Sequence, residues 1–291
     1  MSKCSGNCEN CSMKGTCGSS GAPAAMQEAL ESIKQSMDNV KNKILILSGK
    51  GGVGKSTITY LMSKAFSLDS RVGVLDLDLC GPSMPFLFNK PHEDILETTF
   101  GFEPCYITHN IGLISIQYLL KSENDALIAR GPMKNSLILQ FLRDVDWGET
   151  DTIIIDTPPG TSDEHLSVIS FMADTGIDGA VIVTTPEELA LSDVRREIQF
   201  CRKADVKILG VIENMSGFSC PKCGKDTQIY PESTGGARAM CEAENIEFLG
   251  SFEIDPSIVA SCIGEKYPVS EKTMSKANSI RDRIMEVIAA K

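Results

Sequence analysis

A glycine-rich segment directly after a short apolar run constrains the fold more than any other feature of this chain. The segment follows the apolar residues 44–47 and reads Gly49-Lys50-Gly51-Gly52-Val53-Gly54-Lys55-Ser56-Thr57. It fits the pattern G-x-x-x-x-G-K-[ST], in which a strand precedes the loop and a helix follows it. The glycines let backbone N–H groups turn inward around phosphate, and the helix N-terminus adds positive potential. A chance glycine-rich turn is the alternative, but the full spacing favours a nucleoside triphosphate site.

Other residues supply the remaining parts of a site for phosphate transfer. Lys55 can reach the β- and γ-phosphates, and the Ser56 hydroxyl can bind Mg²⁺. A later apolar run ends in Asp156, where an acid that holds Mg²⁺ or its bound water is expected. The rigid turn 157–160 (Thr-Pro-Pro-Gly) follows at once, and the N–H of Gly160 can contact the γ-phosphate. Together with the phosphate loop, these residues predict ATP and Mg²⁺ as ligands.

Two further carboxylates lie at the end of the second apolar run. Asp76 and Asp78 alternate with leucines, so they share one face of the predicted strand. They are candidates to orient the attacking water and to support the magnesium shell. Surface solvation is the alternative, and the apolar neighbours count against it. Phosphoryl transfer depends mainly on positioning and charge stabilisation, so no covalent protein intermediate is required.

Strand-like and helix-like stretches alternate from residue 43 onward. The first and fourth strands are continuous apolar runs, as expected when helices cover both faces of a parallel sheet. Predicted strands span residues 43–48, 72–77, 111–116, 152–156, 179–184, 206–213 and 246–250. Predicted helices begin near Lys55, Ser136, Ser162, Leu191, Gly235 and Lys272. We therefore expect an α/β fold with a doubly wound, mainly parallel sheet.

The composition along the chain divides it into three regions. Residues 1–24 are small, polar and rich in cysteine, serine and glycine, so they form a tail that metal would have to order. Residues 25–40 carry apolar side chains at helical spacing, which predicts a packing helix that links the tail to the rest. Residues 41–291 form the predicted ATPase domain, which includes the second cysteine motif described below.

The charge and hydropathy patterns narrow the class of protein. The formal net charge is −11, and hydrophobic residues make up 42% of the 291 residues. This charge argues against nonspecific attraction to nucleic acid or anionic membrane, and the hydrophobic content supports a sizeable core. No stretch approaches an uninterrupted membrane span, and the first residues lack a secretory or transit pattern. We expect a cytoplasmic protein.

Eleven cysteines are clustered instead of being spread like disulfide partners. In a reducing compartment, such clusters more often bind metal or do redox chemistry. The N-terminal group has the spacing C-x3-C-x2-C-x5-C and comprises Cys4, Cys8, Cys11 and Cys17. Four soft ligands without histidine favour a [4Fe–4S] cluster or Zn²⁺, and the ligand count alone does not separate the two.

Cys220 and Cys223 form a C-x-x-C motif that contains a proline and precedes a glycine. Two thiolates at this spacing can bind one metal centre, but they fill only half of a tetrahedral site. The same pair from a second subunit completes four thiolates, which predicts a centre shared across a dimer. A thioredoxin-like redox pair is one alternative. A zinc site that takes a further ligand from Cys201, Cys241 or Cys262 is another.

Weaker signals come from isolated residues. His165, just beyond the proline turn, is expected on a helix surface or as a cap. Arg130 is expected either as a nucleotide or interface contact or as a structural ion pair. Cys80 and Cys105 are expected to be ordinary thiols, the usual state of isolated cysteines.

The phosphate loop carries a second lysine, Lys50. Residues 50–55 resemble the deviant Walker motif of the ATPases that include MinD, ParA and the nitrogenase iron protein. In that group the extra lysine reaches across a dimer to the partner's nucleotide, where it neutralises charge as an arginine finger does. The resemblance implies this role for Lys50; a solvated loop charge is the alternative. Asn214 matches the family position that contacts adenine, with a strand-end cap as the alternative.

Several segments closely resemble the Mrp/Nbp family of iron–sulfur cluster assembly ATPases. They read DLDLCGPS (76–83), ARGPMK (129–134), FLRDVDWGE (141–149), DTPPGTSDEH (156–165) and ENMSGF (213–218). The resemblance implies an ATP-hydrolysing scaffold that assembles a [4Fe–4S] cluster at the dimer-bridging cysteines. The cluster then passes to cytosolic and nuclear apoproteins. Implied partners are a second copy, a related tail-less P-loop ATPase, the apoprotein acceptors and targeting factors.

The cysteine tail resembles the cytosolic Nbp type, in contrast to the mitochondrial type and to the partner subunit that lacks a tail. This resemblance implies one N-terminal [4Fe–4S] cluster per chain and a second that bridges two chains. The family usually has a longer gap before the second tail cysteine, whereas only three residues separate Cys4 from Cys8. Cys4 is therefore the weakest candidate ligand, while Cys8, Cys11 and Cys17 keep the family spacing.

Two other functions fit part of the pattern. A positioning ATPase of the MinD/ParA kind needs a membrane-seeking helix or a basic face for DNA. The C-terminal stretch has apolar residues at helical spacing, but it lacks aromatic residues and carries mixed charges, which is typical of core packing. A zinc-stabilised regulatory ATPase is the other alternative, and zinc without sulfide would identify it.

Overall fold

The computed structural model describes residues 24–78, 81–99, 101–119, 131–160, 163–220, 222–230, 235–264 and 268–290. The predicted cysteine tail lies outside these residues except for its last position. Its candidate ligands are Cys4, Cys8, Cys11 and Cys17. Cys80 and Arg130 also lie outside the described residues. The ordinary thiol at Cys80, the contact or ion pair of Arg130 and the tail cluster therefore stay predictions.

A twisted sheet of mainly parallel strands forms the centre of the described chain. Its strands and those of two small hairpins are β1 (Asn42–Leu47), β2 (Val72–Asp76), β3 (Leu96–Thr98), β4 (Gly101–Glu103), β5 (Cys105–Thr108), β6 (Ile111–Ser115), β7 (Thr152–Asp156), β8 (Gly179–Thr184), β9 (Ile208–Glu213), β10 (Phe218–Ser219), β11 (Asp226–Thr227) and β12 (Phe248–Ser251). The sheet order is β12-β9-β8-β1-β7-β2-β6-β5. Only β5 runs antiparallel among the described strands of this sheet, at one edge. The predicted fold class is confirmed.

Helices cover both faces of this sheet. They are α1 (Ala24–Met37), α2 (Lys55–Phe66), α3 (Met84–Leu87), α4 (Gly131–Asp144), α5 (Asp163–Phe171), α6 (Glu188–Lys203), α7 (Gly236–Glu244), α8 (Pro256–Ser261) and α9 (Glu271–Ala289). Two short 3-10 turns span Ile116–Leu119 and Ala173–Thr175. α2, α3, α8 and α9 pack on one face, and α1 with α4–α7 pack on the other. None of the helices in the described ranges combines the length and apolar character needed to span a bilayer.

Strand β1 shows how the sequence fills both layers. Ile44 and Ile46 face the layer of α2 and α9, whereas Leu45 and Leu47 face the opposite layer. Successive side chains of a strand point to opposite faces, so a continuous apolar run needs cover on both sides. β1 lies between β7 and β8, in the middle of the sheet. The phosphate loop that follows it therefore lies at the carboxyl ends of the central parallel strands.

Helix α1 packs against this domain, as its apolar spacing predicts. Ile33 and Met37 are fully buried, and the helix lies against α4. The Ser36 hydroxyl donates a hydrogen bond to the Val145 carbonyl (3.2 Å). These contacts join the helix to the layer formed by α4–α7.

Some element bounds differ from the prediction. α4 begins at Gly131 instead of near Ser136, because Pro132 fits the first turn of a helix, where its missing N–H is not needed. α6 begins at Glu188 instead of near Leu191. The sequence does not predict strand β5 or the hairpins β3–β4 and β10–β11. Such short strands have too few residues for their hydrophobic periodicity to be detected.

Helix α6 buries a carboxyl group in the core. The side chain of Glu197 is fully buried, and neither of its oxygens has a hydrogen-bond partner among the described residues. Burial raises the pKa of Glu197 from 4.5 to about 7. Because burial disfavours the charged form, the ionised side chain opposes folding.

We expect Glu197→Gln to stabilise the chain by about 3 kcal/mol at pH 8, because each unit of raised pKa costs the charged form about 1.4 kcal/mol. The folded pKa lies above the unfolded one, so the native chain loses stability as pH rises from 4.5 to about 7. At pH 5 the gain is therefore expected to fall below about 1 kcal/mol. Denaturant unfolding at both pH values measures the difference.

The control for this variant is Glu242→Gln, which changes an exposed carboxyl on α7. It is expected to have little effect at either pH. A gain from Glu197→Gln that is the same at pH 5 and pH 8 would contradict the assignment of a raised pKa.

Candidate nucleotide site and cysteine hairpin

The phosphate loop connects the C-terminal end of β1 to the first turn of α2. Lys55 is the first residue of α2, and Gly54 is its N-cap with φ 84°. Residues 50–57 line a cavity of about 270 Å³, together with Asp78 and Pro159. Free backbone N–H groups and the helix dipole favour an anion at such a helix start. The loop therefore has the shape and polarity of a phosphate site.

A buried ion pair lies beneath the loop. Lys55 Nζ lies 2.8 Å from Asp156 Oδ1, and both side chains are almost fully buried. The contact does not have hydrogen-bond geometry, so the ammonium has no hydrogen-bond acceptor among the described residues and suits phosphate oxygens. Asp156 accepts hydrogen bonds from Ser56 Oγ (2.6 Å) and Thr59 Oγ1 (2.7 Å). Ser56 and Asp156 thus place two hard oxygen ligands side by side, which fits Mg²⁺.

A second carboxyl group, Asp76, lies beside Asp156. The two residues are in register at the ends of β2 and β7, and Asp76 is fully buried. Ser115 Oγ donates to Asp76 (3.0 Å), as does the backbone N–H of Asp78 (3.1 Å). Burial raises the pKa of Asp76 to about 7, and repulsion from Asp156 is the second largest cause of the rise. The positive charge of Lys55 acts in the opposite direction. The neutral form of Asp76 is therefore favoured more than that of an exposed aspartate.

Asp78 occupies a different environment from Asp76. Strand β2 ends at Asp76, so Asp78 lies in the following loop. It is half-buried, accepts a hydrogen bond from the Gly81 N–H (3.2 Å) and lines the cavity of the phosphate loop. Of these two carboxylates, Asp78 is the one that can face a bound nucleotide.

Two groups that the sequence analysis assigned to phosphate are engaged within the chain. Lys50 Nζ forms an ion pair with Glu187, the residue before α6. The N–H of Gly160 donates a hydrogen bond to the Ser48 carbonyl (2.7 Å). Contact of either group with phosphate requires these bonds to break. Sequence reasoning missed Glu187; the only signal for it is an acidic residue just after the apolar strand β8.

His165 is buried on α5, so the expected surface position is wrong. Its ring donates a hydrogen bond to the backbone carbonyl of Pro158 in the turn after β7. Burial lowers the pKa of His165 to about 4, so the ring is neutral at physiological pH. His165 therefore ties α5 to the turn that follows Asp156.

Asn214 follows β9 and is buried against the phosphate loop. Its Nδ2 donates a hydrogen bond to the Val53 carbonyl (3.0 Å), and its backbone N–H donates to the Thr184 carbonyl (2.7 Å). A Cβ atom at Gly54 would lie only 2.2 Å from Asn214 Nδ2. Asn214 thus supports the loop, and its contact with adenine stays a prediction.

Gly54→Ala is expected to destabilise the nucleotide-free chain by about 1–3 kcal/mol more than Gly52→Ala does. Both glycines have left-handed φ values, 84° and 83°, so alanine strains the backbone at both positions. Only at Gly54 does the added methyl group collide with Asn214, since nothing lies within 4 Å of a Cβ at Gly52. Denaturant unfolding measures both losses, and equal losses would contradict the close contact with Asn214.

Cys220 and Cys223 lie in the loop of the β10–β11 hairpin. The Cys220 N–H donates to the Lys225 carbonyl (3.0 Å), and the Gly224 N–H donates to the Cys220 carbonyl (2.8 Å). Hydrogen bonds from the backbone N–H groups of Cys223 and Lys222 lower the pKa of the Cys220 thiol, and the one from Cys223 has the larger effect. Cys220 is half-buried and Cys223 is exposed. The loop therefore favours a thiolate and keeps both cysteines accessible.

No third ligand completes a metal site with this pair in the described part of the chain, where no three His, Cys, Asp or Glu side chains are arranged for a metal. Cys201 and Cys241 are buried in the core, and burial raises the pKa of each thiol to about 12. The Cys262 thiol donates a hydrogen bond to the Ile258 carbonyl (3.2 Å). A zinc site completed by one of these cysteines is therefore not supported.

Known proteins are similar to this chain in sequence and in fold. A family model described as NUBPL iron-transfer P-loop NTPase matches residues 39–289. The cytosolic Fe-S cluster assembly factor NBP35 of Kluyveromyces lactis is 47% identical, over 97% of this chain and 89% of its own length. The solved nucleotide-binding protein from Archaeoglobus fulgidus in complex with ADP is 34% identical, with a TM-score of 0.65 over 87% of this chain and 92% of its own.

The septum site-determining protein MinD from Pyrococcus horikoshii, complexed with Mg-ADP, shares the fold. It is 21% identical, with a TM-score of 0.57, over 84% of this chain and 95% of its own. The family model spans most of this chain, and the Kluyveromyces relative matches nearly all of it. The chain therefore belongs to the NUBPL iron-transfer P-loop NTPase family.

Proposed function

We propose that this chain is an ATP-hydrolysing scaffold that assembles a [4Fe–4S] cluster at a dimer interface and transfers it to cytosolic and nuclear apoproteins. The observation that carries the proposal is the presence, in one chain, of a phosphate loop and a cysteine pair in which Cys223 is exposed and the backbone lowers the pKa of the Cys220 thiol. Membership of an iron-transfer NTPase family supports the same role. So does 47% identity to a cytosolic Fe-S cluster assembly factor.

ATP hydrolysis depends on the residues around Asp156. Lys55 binds the β- and γ-phosphates. Ser56 and Asp156 would hold Mg²⁺, which would withdraw charge from the phosphate oxygens. Asp78, which lines the cavity, orients the attacking water. Lys50 leaves its ion pair and reaches the partner subunit's nucleotide, as the family resemblance implies. The chain's own groups thus bind the phosphates, orient the attacking water and neutralise negative charge. None of them forms a covalent intermediate.

The cluster is cargo held between two subunits. Cys220 and Cys223 supply two thiolates, and a [4Fe–4S] cluster takes four. The same pair from a second subunit supplies the other two, which places the cluster on the axis of a dimer. That subunit is another copy of this chain or a related tail-less P-loop ATPase. Separately, Cys8, Cys11 and Cys17, with Cys4 as the weakest candidate, hold one resident cluster per chain.

A scaffold is favoured over the other two functions. Similarity to MinD at 21% identity concerns the fold alone, so it does not support a positioning ATPase. The family model describes an iron-transfer NTPase, and the Kluyveromyces relative is named as an Fe-S cluster assembly factor, so both favour iron and sulfide over zinc at the hairpin. The name of the Kluyveromyces relative supports a cytoplasmic location. The net charge of −11 is consistent with partners other than nucleic acid.

Anaerobic reconstitution with iron and sulfide tests the proposal. We expect the chain to take up iron and acid-labile sulfide in equal amounts and to form an iron-dependent dimer in light scattering. The loaded dimer is expected to activate an apo-acceptor that needs a [4Fe–4S] cluster. Uptake of zinc without sulfide would contradict the proposal, as would a chain that stays monomeric under every nucleotide and iron condition.

A further inference from the structure

We propose that residues 214–220, here named the connecting segment, couple the phosphate loop to the cysteine hairpin, with Met215 as a stiff joint. The inference rests on the proposed function, because it gives the route by which ATP controls the cysteine pair. Only six peptide bonds lead from Asn214 to Cys220. A displacement at one end of so short a segment reaches the other end unless a residue between them absorbs it.

The end of the connecting segment near the phosphate loop is in tight contact with that loop. Asn214 Nδ2 donates a hydrogen bond to the Val53 carbonyl (3.0 Å). A Cβ atom at Gly54 would lie 2.2 Å from the same nitrogen and 3.6 Å from Met215 Cε. Interiors packed this closely transmit displacements instead of absorbing them. A change of the loop when nucleotide binds therefore displaces Asn214 and Met215.

Met215 has an unusual backbone conformation. Its φ is +57°, in the left-handed region that few residues with a long side chain adopt. The other non-glycine residues at positive φ within the described ranges are Asn89, Asp205 and Asn245, which are of the types that enter this region more readily. A strained residue of this kind persists because its surroundings hold it in place. Met215 therefore has little freedom to absorb a movement of Asn214.

The cysteine end of the connecting segment is held by hydrogen bonds to the chain that follows β12. The Ser216 N–H donates to the Phe252 carbonyl (2.9 Å), and Phe218 forms a parallel bridge with Ile254. Cys220 comes two residues after Phe218. Gly217, the glycine within the segment, is held as well, because its carbonyl accepts a hydrogen bond from the Ile254 N–H (2.8 Å). The hairpin therefore moves with the segment. The structure thus gives a continuous path from the phosphate loop to the cysteine pair.

The reactivity of the hairpin thiols tests this path without iron. The rates at which iodoacetamide alkylates Cys220 and Cys223 in the apo chain are followed by mass spectrometry, with and without a non-hydrolysable ATP analogue. We expect the analogue to change these rates by about fivefold or more in the unaltered chain. In Met215→Gly the ratio is expected to fall to within about twofold of one, because glycine absorbs the movement of Asn214.

Asn245→Gly is the matched control. It places the same glycine freedom at another left-handed residue, the C-cap of α7, and is expected to keep the full response. The affinity for the analogue is measured for each variant, so that all are compared at saturation. Cys105, on the edge strand β5, serves as an internal reference in every sample.

Two results would overturn the inference. One is an unaltered chain whose hairpin cysteines react at the same rate with and without the analogue. The other is a Met215→Gly variant that keeps the full response, which is also the outcome expected if dimerisation alone protects the thiols. Failure of the scaffold proposal is a separate result, because a chain that never binds iron and sulfide still reports its thiol reactivity.

Discussion

Lys55→Ala is expected to lower the rate of ATP hydrolysis by at least about 100-fold. The Lys55 ammonium is buried 2.8 Å from Asp156 and lacks a hydrogen-bond acceptor among the described residues, so it is positioned to neutralise phosphate. Its removal also leaves Asp76 and Asp156 without the positive charge that opposes their mutual repulsion. The remaining site then repels the triphosphate. Steady-state phosphate release and nucleotide binding measure the loss.

The control for this loss is Lys64→Ala on the same helix. The Lys64 ammonium lies over the Tyr60 ring, 5.0 Å from its centre, away from the phosphate loop. This variant is expected to hydrolyse ATP at close to the unaltered rate. Near-normal hydrolysis by Lys55→Ala would contradict the assignment of the site. A Lys55→Ala chain that loads and donates a cluster normally would exclude control of the scaffold by ATP.

The strand–loop–helix unit around the phosphate loop could be predicted because its determinants are local. The apolar run of β1, the glycines and the lysine-serine pair are all adjacent in sequence, and α2 begins at Lys55 as expected. Asp156 could be placed for the same reason, since it ends an apolar strand. Parallel strands bring such ends to one edge of a sheet, which explains why Ser56 and Asp156 meet.

Contacts between residues far apart in the sequence could not be predicted. The Lys50–Glu187 pair joins residues 137 positions apart, and the Asn214–Val53 hydrogen bond joins residues 161 positions apart. Periodicity tells which face of an element is buried, but it does not identify the partner of a polar side chain. The buried position of His165 has the same origin, because its partner is a backbone carbonyl in a turn.

Cys220→Ala is expected to remove the shared cluster and leave the tail cluster in place. A [4Fe–4S] cluster shared by two chains adds about two iron atoms per chain, and a tail cluster adds about four. Iron content is therefore expected to fall from about six atoms per chain to about four in Cys220→Ala, and to about two in Cys8→Ala. The iron-dependent dimer is expected to be lost only in Cys220→Ala. Iron and sulfide analysis and light scattering after anaerobic reconstitution measure these outcomes.

Cys262→Ala is the matched control for the cysteine variants, because its thiol is half-buried and bonded to the Ile258 carbonyl, outside the hairpin. It is expected to keep both clusters and the dimer. A Cys220→Ala chain that keeps about six iron atoms and still dimerises with iron would contradict the shared site. In the Cys220→Ala variant, Cys223 is the one hairpin thiolate that remains in each subunit. Two subunits therefore supply two of the four ligands. One substitution per chain therefore removes the cluster from both chains.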